Sequence, residues 1–403
     1  MPGTDEAIAL QKPYLLSIMG EVSNRKDEIL RLGGGGMQGI IIAGGFGTRF
    51  RPLTYTRPKP LMPILNRPLL EYQVGLLKAH GITEIVFATN YMAEAMERHF
   101  GDGIRFGVKM RYAQEDQPLG TAGAIRNAAN SLWRRETVVV FNGDIVTDFD
   151  LSAIIELHRK RGARATIALK AVPSPNPYGV LDLDSEGRVL AWREPTEEQK
   201  KALAANPNVE QTGWDYINAG FYVLEPEVIE SIPEGRMVSI EREIYPRMIA
   251  QSEGLYGAPA EGYWVDVAGP AQYWKVTNDL LRGRVNLPLP GAPQAEGLWC
   301  MGHVQARCTL DAGAMAHIGE GAIVEEGVHL RGTVVIGAGC HIERGCVLED
   351  CVLLERVHLG EGTDLTRVIG DCEVSIEAGS RISDAVIAAG SRIGRESRLG
   401  TSW

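Results

Sequence analysis

The chain of 403 residues is long enough for two or three domains of ~100–200 residues each. Its formal charge of −10 and 23% charged residues are ordinary for a globular protein and speak against a nucleic-acid or membrane-surface partner. No apolar run approaches the ~20 residues that a membrane-spanning helix requires. All six cysteines lie between Cys300 and Cys372 without a Cys-x-x-Cys pair, which reads as reduced, buried thiols of a cytoplasmic protein and not as zinc ligands or disulfides.

Residues 1–36 read as a solvated extension. Two acids and no cations precede the weak apolar patch Ala7 to Leu10, which does not fit a secretory signal. Gly33 to Gly36 stand directly before Met37. Glycine codons and a bacterial ribosome-binding site are both guanine-rich, so Met37 is the expected start and the preceding residues a translated leader.

From Met37 to about residue 282 strands alternate with helices. Ile40 to Ala43 is a short apolar run of the kind a buried parallel strand shows. It breaks at Gly44-Gly45-Phe46-Gly47, where glycines permit positive φ and let backbone N–H groups approach an anion. Thr48, Arg49 and Lys59 follow, among Pro52, Pro58, Pro60 and Pro63, which forbid a continuous helix and predict a stiff loop. The result is a phosphate cradle with two cations. Leu69 to Ala79 has helical spacing and stops at Gly81; Glu84 to Thr89, Thr137 to Phe141 and Ala165 to Leu169 read as buried strands; Leu151 to Lys160 is helical, with Leu151, Ile154, Ile155 and His158 on one side. This alternation predicts a Rossmann-like α/β domain over 37–282, a mostly parallel sheet with helices on both faces, binding ligands beyond the strands' carboxyl ends. Asp144 follows the strand Val138 to Phe141 and is placed to hold a hard cation; Asp266 follows a second apolar run and reads by itself as an ordinary strand-end residue. Asp148 and Asp150 are better placed than Asp144 to cap the helix at Leu151.

Residues 283–299 are rich in proline and glycine and read as a linker. In 300–403 the period changes: Ile318, Val324, Leu330, Ile336, Ile342, Leu348 and Leu354 fall at every sixth residue, with a slip near Leu354 before the pattern resumes. Such hexapeptide repeats predict a left-handed parallel β-helix, with about three hexads to a coil. His317, His329, His341 and His358 each precede a repeat aliphatic, a position expected outside the core, and they raise a lesser alternative, acyl transfer by a histidine of the β-helix. Adjacent aliphatics such as Val334 and Val335, or Val352 and Leu353, cannot all point inward, so an outward apolar patch and homo-oligomerisation through this arm are expected.

The string from Gly44-Gly45-x-Gly47-Thr48-Arg49 through Pro52-Leu53-Thr54 to Arg57-Pro58-Lys59-Pro60-Leu61 resembles the signature of the sugar-phosphate nucleotidyltransferases, and within them the mannose-1-phosphate guanylyltransferase branch. The resemblance covers about residues 37–400. It implies an enzyme that joins an NTP to a sugar-1-phosphate, with the glycine loop around the triphosphate, Arg49 on the pyrophosphate, Lys59 on the transferring phosphoryl group, and Asp144 and Asp266 as Mg²⁺ ligands. It assigns nucleobase recognition to Gln114, Glu115, Gly120 and Thr121, and sugar contacts to Gly179, Glu194 and Asn218; the lean is to GTP and mannose-1-phosphate. One departure stands out. The family reads Glu-Lys-Pro where this chain reads Glu194-Pro195, so the lysine that grips the sugar phosphate is missing, and strand alternation points Arg193 away from Glu194. A weakened, regulatory or sugar-nucleotide-sensing relative, with the β-helix as an assembly arm, is the alternative that follows.

Overall fold

Ile40 to Ile42 form the inner part of the first strand of a nine-stranded sheet, and both faces of that strand are buried, which is why the run is apolar without alternation. The structure, a computed structural model, describes residues 37–206 and 210–400; the expected leader at 1–36 lies outside them. Packing divides the chain into two units, Gln73–Trp264 with the chain up to Gly45, and Phe46–Tyr72 with the chain from Val265 onward.

In the first unit the strands are β1 (Met37–Ile42), β2 (Ile82–Thr89), β3 (Lys109–Gln114), β4 (Val138–Asn142), β5 (Ala165–Ser174), β6 (Val180–Leu183), β7 (Val189–Arg193), β8 (Gly213–Leu224) and β9 (Leu255–Pro259). Their order is β7-β6-β8-β4-β1-β2-β3, with β5 on β8 and β9 on β5. The β3-β2-β1-β4 half is parallel; β8 enters antiparallel to β4. Ile40, Val86 and Val140 face one side with Ala124, Ile125 and Ala128 of helix Gly120–Ala129. On the other side lie Ile41, Phe87 and Phe141, where the Phe100 ring of helix Ala93–Phe100 sits 5.1 Å from that of Phe87. Helix Leu151–Arg161 starts at Asp150, whose Oδ1 accepts from Ala153 N at 3.2 Å, and the predicted stripe from Leu151 to His158 is buried. Asp150 caps this helix, and Asp144 does not.

In the second unit the repeat aliphatics from Ile318 to Leu354 are all buried, and strands of successive coils pair in parallel. Ile318 pairs with Ile336 and Leu330 with Leu348, three hexads apart. Past a bulge between Arg331 and Val334 the partner comes one residue sooner, Val334 with Cys351. The slip therefore arises beside Gly332, at φ +61°, which lies against the Asp350 side chain of the next coil, itself at φ +52°. Part of the expected linker joins the stack: Ala292–Ala295 pairs with Leu298–Cys300, which pairs with Met315–Ile318. The six cysteines are free thiols, and those of Cys340, Cys346 and Cys351 donate to carbonyls of the next coil.

Two expectations about this arm are overturned. Val335 and Val352, on the outward side, are buried at 2% and 1% exposure, so they form no open patch. Helix Pro270–Leu281 and the 46–72 segment lie on this face: Asn278 and Arg282 bond to Thr333, and Asn66 donates to the Ile336 carbonyl. His317 is not outside the core but fully buried. Its Nδ1 meets the Asn66 amide at 3.0 Å and its Nε2 meets the Pro290 carbonyl at 3.0 Å. His329, His341 and His358 do face solvent, at 46%, 40% and 43% side-chain exposure.

Candidate active site

In the first unit β1 ends at the glycine loop. A Cβ on Gly44 would meet Asn90 Cβ at 3.2 Å, while Gly45 is exposed with open space around it. One residue of the first unit's second parallel crossing, Gly143, explains the Asn142-Gly143-Asp144 turn. Its N–H donates to the Ile42 carbonyl at 2.9 Å, and a Cβ there would lie 2.6 Å from that oxygen. Gln73 Nε2 clamps the same turn from outside, donating to the carbonyls of Asn142 at 2.9 Å and Ile145 at 2.7 Å. Asp144 thus rides on a turn held from two directions. Sequence reasoning missed Gln73, although a glutamine within the apolar stripe of Leu69, Leu70, Val74 and Leu77 was a usable signal.

The loop after β3 carries Gln114 and Glu115. Glu115 is buried; its Oε2 accepts from Leu119 N at 3.0 Å and closes the loop, and burial pushes its carboxyl above the usual range. Gly120, at φ +70°, lies where a Cβ would be 2.7 Å from the Val238 carbonyl. Thr121 Oγ1 donates to Glu241 at 2.9 Å and accepts from Ile240 N at 2.9 Å, so its hydroxyl is engaged within the fold. An open cleft beside the loop is lined by Gln114, Glu115, Leu119, Gly123, Asn127 and Asn130.

Strand register brings the three sugar-contact candidates together. Arg193 pairs with Val180 across β7 and β6, and Ile217 pairs with Val180 across β8 and β6. One step further on every strand lie Glu194, Gly179 and Asn218, in one row. Glu194 Oε1 accepts from Trp192 Nε1 at 2.7 Å, and a Cβ on Gly179 would lie 2.6 Å from both atoms, so a side chain there would displace this pair. Asn218 donates to Tyr222 Oη at 2.8 Å, the hydroxyl that Asn142 also reaches at 3.4 Å. This ties the row to the Asp144 turn. Arg193 lies off the row: its fork grips Asp182 at 2.8 and 2.7 Å, as strand alternation predicts.

In the second unit Gly47 adopts φ 59° and ψ 33° before the one-turn helix Thr48–Phe50, and Thr48 and Arg49 are exposed. A Cβ on Gly47 would press on Thr54 and on Lys59 Cβ at 3.2 Å. The prolines act as expected: Pro58 is extended, Lys59–Leu61 is a single tight turn, and a hairpin of Pro63–Ile64 with Arg67–Pro68 follows. Lys59 is buried at 9% exposure, and its Nζ lies 4.0 Å from Asp266 Oδ1 at the end of the strand Trp264–Asp266. Tyr273 supports the turn from beneath, its hydroxyl donating to the Pro63 carbonyl and its ring edge-on to Phe50 at 5.5 Å. Like Gln73, Tyr273 is a brace whose partner is a backbone carbonyl.

The donor chemistry fits a hard dication. Asp144 and Asp266 offer carboxylate oxygens, both part-exposed, and no thiolate or imidazole lies among the candidate ligands. Among the described residues no helix is long and apolar enough to cross a membrane.

Residues 38–283 match the family model described as nucleotidyl transferase, and residues 306–384 match one described as GlmU-like, C-terminal hexapeptide. The chain is 36% identical over 297 residues to mannose-1-phosphate guanylyltransferase of Mycobacterium tuberculosis, an alignment covering 73% of this chain and 79% of the relative. It is 33% identical over 343 residues to UTP–glucose-1-phosphate uridylyltransferase of Synechocystis sp., covering 82% and 86%. Among solved structures, HddC from Yersinia pseudotuberculosis superposes with a TM-score of 0.51 at 26% identity, over 60% of this chain and 99% of that one. The same protein in complex with GMP-PN gives a TM-score of 0.50, again at 26% identity, 60% of this chain and 99% of that one. With a matching model over most of its length, and relatives of this identity and coverage, the chain belongs to the nucleotidyl transferase family and is a sugar-1-phosphate nucleotidyltransferase.

Proposed function

We propose that this chain transfers the guanylyl group of GTP to mannose-1-phosphate. A phosphate oxygen of the sugar phosphate attacks the α-phosphorus, the bond from that phosphorus to the β-bridging oxygen breaks, and pyrophosphate leaves. The observation that carries the reading is the buried Lys59 ammonium, held 4.0 Å from Asp266 on a proline-stiffened turn. A fixed cation of this kind offsets charge that grows on the transferring phosphoryl group and costs no reorganisation when it does. Arg49, exposed on the same loop, would grip the departing pyrophosphate through its fork. Gly44, Gly45, Gly47 and Thr48 would supply backbone N–H groups to the triphosphate, and the row of Gly179, Glu194 and Asn218 would bond the sugar. Enzymes of this family generally use a divalent metal; Asp144 and Asp266 would hold Mg²⁺, which neutralises phosphate charge when bound. The lean to guanine and mannose rests on the Mycobacterium relative and others of that name; the Synechocystis relative sets UTP with glucose-1-phosphate as the contrasting pair. The hexapeptide region is consistent with homo-oligomerisation.

A second reading, a weakened or regulatory relative, is favoured by one observation: Arg193 is committed to Asp182, so it does not replace the lysine that the family carries after the glutamate. Pyrophosphate release over a panel of NTPs and sugar-1-phosphates decides. Fastest release with GTP and mannose-1-phosphate is expected; preference for UTP with glucose-1-phosphate reassigns the substrates, and no release with any pair selects the second reading.

A further inference from the structure

The second unit contains an ion cluster that belongs neither to the repeat pattern nor to the site described above. Arg57 stands two residues before Lys59, and its side chain is only 17% exposed. Its fork is bidentate on Glu355: Nη1 donates to Oε1 at 3.1 Å and Nη2 to Oε2 at 2.8 Å. Behind Glu355, Nη2 lies 3.8 Å from Oδ1 of Asp371, whose side chain is fully buried. Both carboxylates come from the hexapeptide arm. Leu353 pairs with Gly370, so coil stacking brings Asp371 to within one residue of the level of Glu355. Burial raises the Glu355 carboxyl, but the Arg57 fork outweighs it and holds the group below the usual range.

Two carboxylates facing one guanidinium make a socket whose geometry is set by the coils and not by the loop that plugs into it. The loop is well suited to transmit that position. Arg57 precedes a proline and is restricted to extended backbone. Pro58 is fixed at φ −70°, ψ 146°, and Lys59–Leu61 turns immediately, with Leu61 N donating to the Pro58 carbonyl at 2.9 Å. Two residues span at most about 7 Å, and here hardly any torsion is free to absorb a displacement.

We propose that Glu355, backed by Asp371, is a positioning residue for nucleotidyl transfer: the hexapeptide arm supplies the socket that fixes Arg57 and, through Pro58, sets the place of the Lys59 ammonium. The arm thereby takes part in the chemistry of the catalytic loop, besides any role in assembly. The inference rests on the reading of Lys59 given above.

The test uses the full chain, with the NTP and sugar-1-phosphate pair that the panel identifies, and compares Glu355→Gln, Arg57→Lys, the double variant and Lys59→Ala. In Glu355→Gln the guanidinium keeps the buried Asp371 as a partner, so no unpaired cation is left and the thermal transition should move little. The fork is then drawn toward Asp371, and a shift of about 1 Å at a charged group can cost up to 100-fold in rate. The expected result is a fall in kcat of about 10-fold or more with KM for either substrate changed less than about 3-fold. Arg57→Lys, which keeps the charge and loses the fork, should act alike, and the double variant should be no worse than the poorer single one. Unchanged kcat in both single variants overturns the proposal. So does a loss of kcat that only tracks loss of folded protein in the thermal transition, since that marks a structural tie. If Lys59→Ala retains full turnover, the Lys59 assignment itself fails; if Lys59→Ala is inactive while Glu355→Gln is unimpaired, only the positioning role fails.

Discussion

His317 should make the fold acid-labile, and the size of the effect follows from its surroundings. An amide nitrogen can only donate, so Asn66 Nδ2 donates to Nδ1 of the imidazole, and Nε2–H donates to the Pro290 carbonyl; the ring is neutral. Burial pushes its pKa down to about 4, from an unfolded value of about 6.5. As pH falls below about 6.5 the unfolded chain takes up a proton that the folded chain refuses until about pH 4, so stability is lost through that window and is flat above it. The full difference of about 2.5 units is worth roughly 3 kcal/mol, and at pH 5 about 2 kcal/mol of it is gone. Urea midpoints from pH 7.5 to 4.5 for the wild type and His317→Gln measure this. Other groups titrate alike in both proteins, so the wild-type advantage should shrink by about 2 kcal/mol between pH 7.5 and 5. An advantage that does not vary with pH refutes the argument. The same ring is a poor candidate for acyl transfer, because it is fully buried and both of its nitrogens are taken up by Asn66 and the Pro290 carbonyl.

Lys59→Ala and Arg49→Ala should each lower turnover by about 100-fold or more, as each removes a charge contact that strengthens in the transition state; full activity in either excludes the phosphate-cradle roles. Asp266→Asn should abolish most Mg²⁺-dependent turnover and leave the thermal transition of the metal-free protein nearly unchanged; an unfolded variant with normal metal dependence would instead mark Asp266 as a strand-end residue. Ending the chain at residue 282 should leave a protein that binds nucleotide with reduced stability and, without Glu355, reduced kcat. Light scattering on the full chain should find an oligomer that this truncation dissolves; a full-length monomer removes the assembly role, and an oligomer that survives truncation moves the interface into residues 37–282.

Much of this protein is written locally in its sequence. The hexapeptide column is legible because each repeat buries one aliphatic at a fixed spacing, so Ile318 to Leu354 announce themselves without knowledge of any distant contact. The parallel strands are legible because burial on both faces leaves no polar alternation in runs such as Ile40–Ile42. Gly143 stands where its backbone approaches the Ile42 carbonyl too closely for a Cβ, and the sequence shows the glycine though not the neighbour.

What tertiary structure alone decided is which of these pieces face one another. Strand alternation says that some of Val334, Val335, Val352 and Leu353 point outward, but not that Val335 and Val352 would be covered, because the cover comes from segments far away in the chain. His317 precedes a repeat aliphatic as three solvent-facing histidines do, but it has Asn66 and Pro290 against it. Arg57 and Glu355 are separated by 298 positions, and no local pattern couples them. Propensity, periodicity and turn chemistry act over a few residues and survive in the unfolded chain's sequence; ion pairs and burial between distant segments exist only once coils and loop have packed, and their energies are set by the desolvation that packing brings.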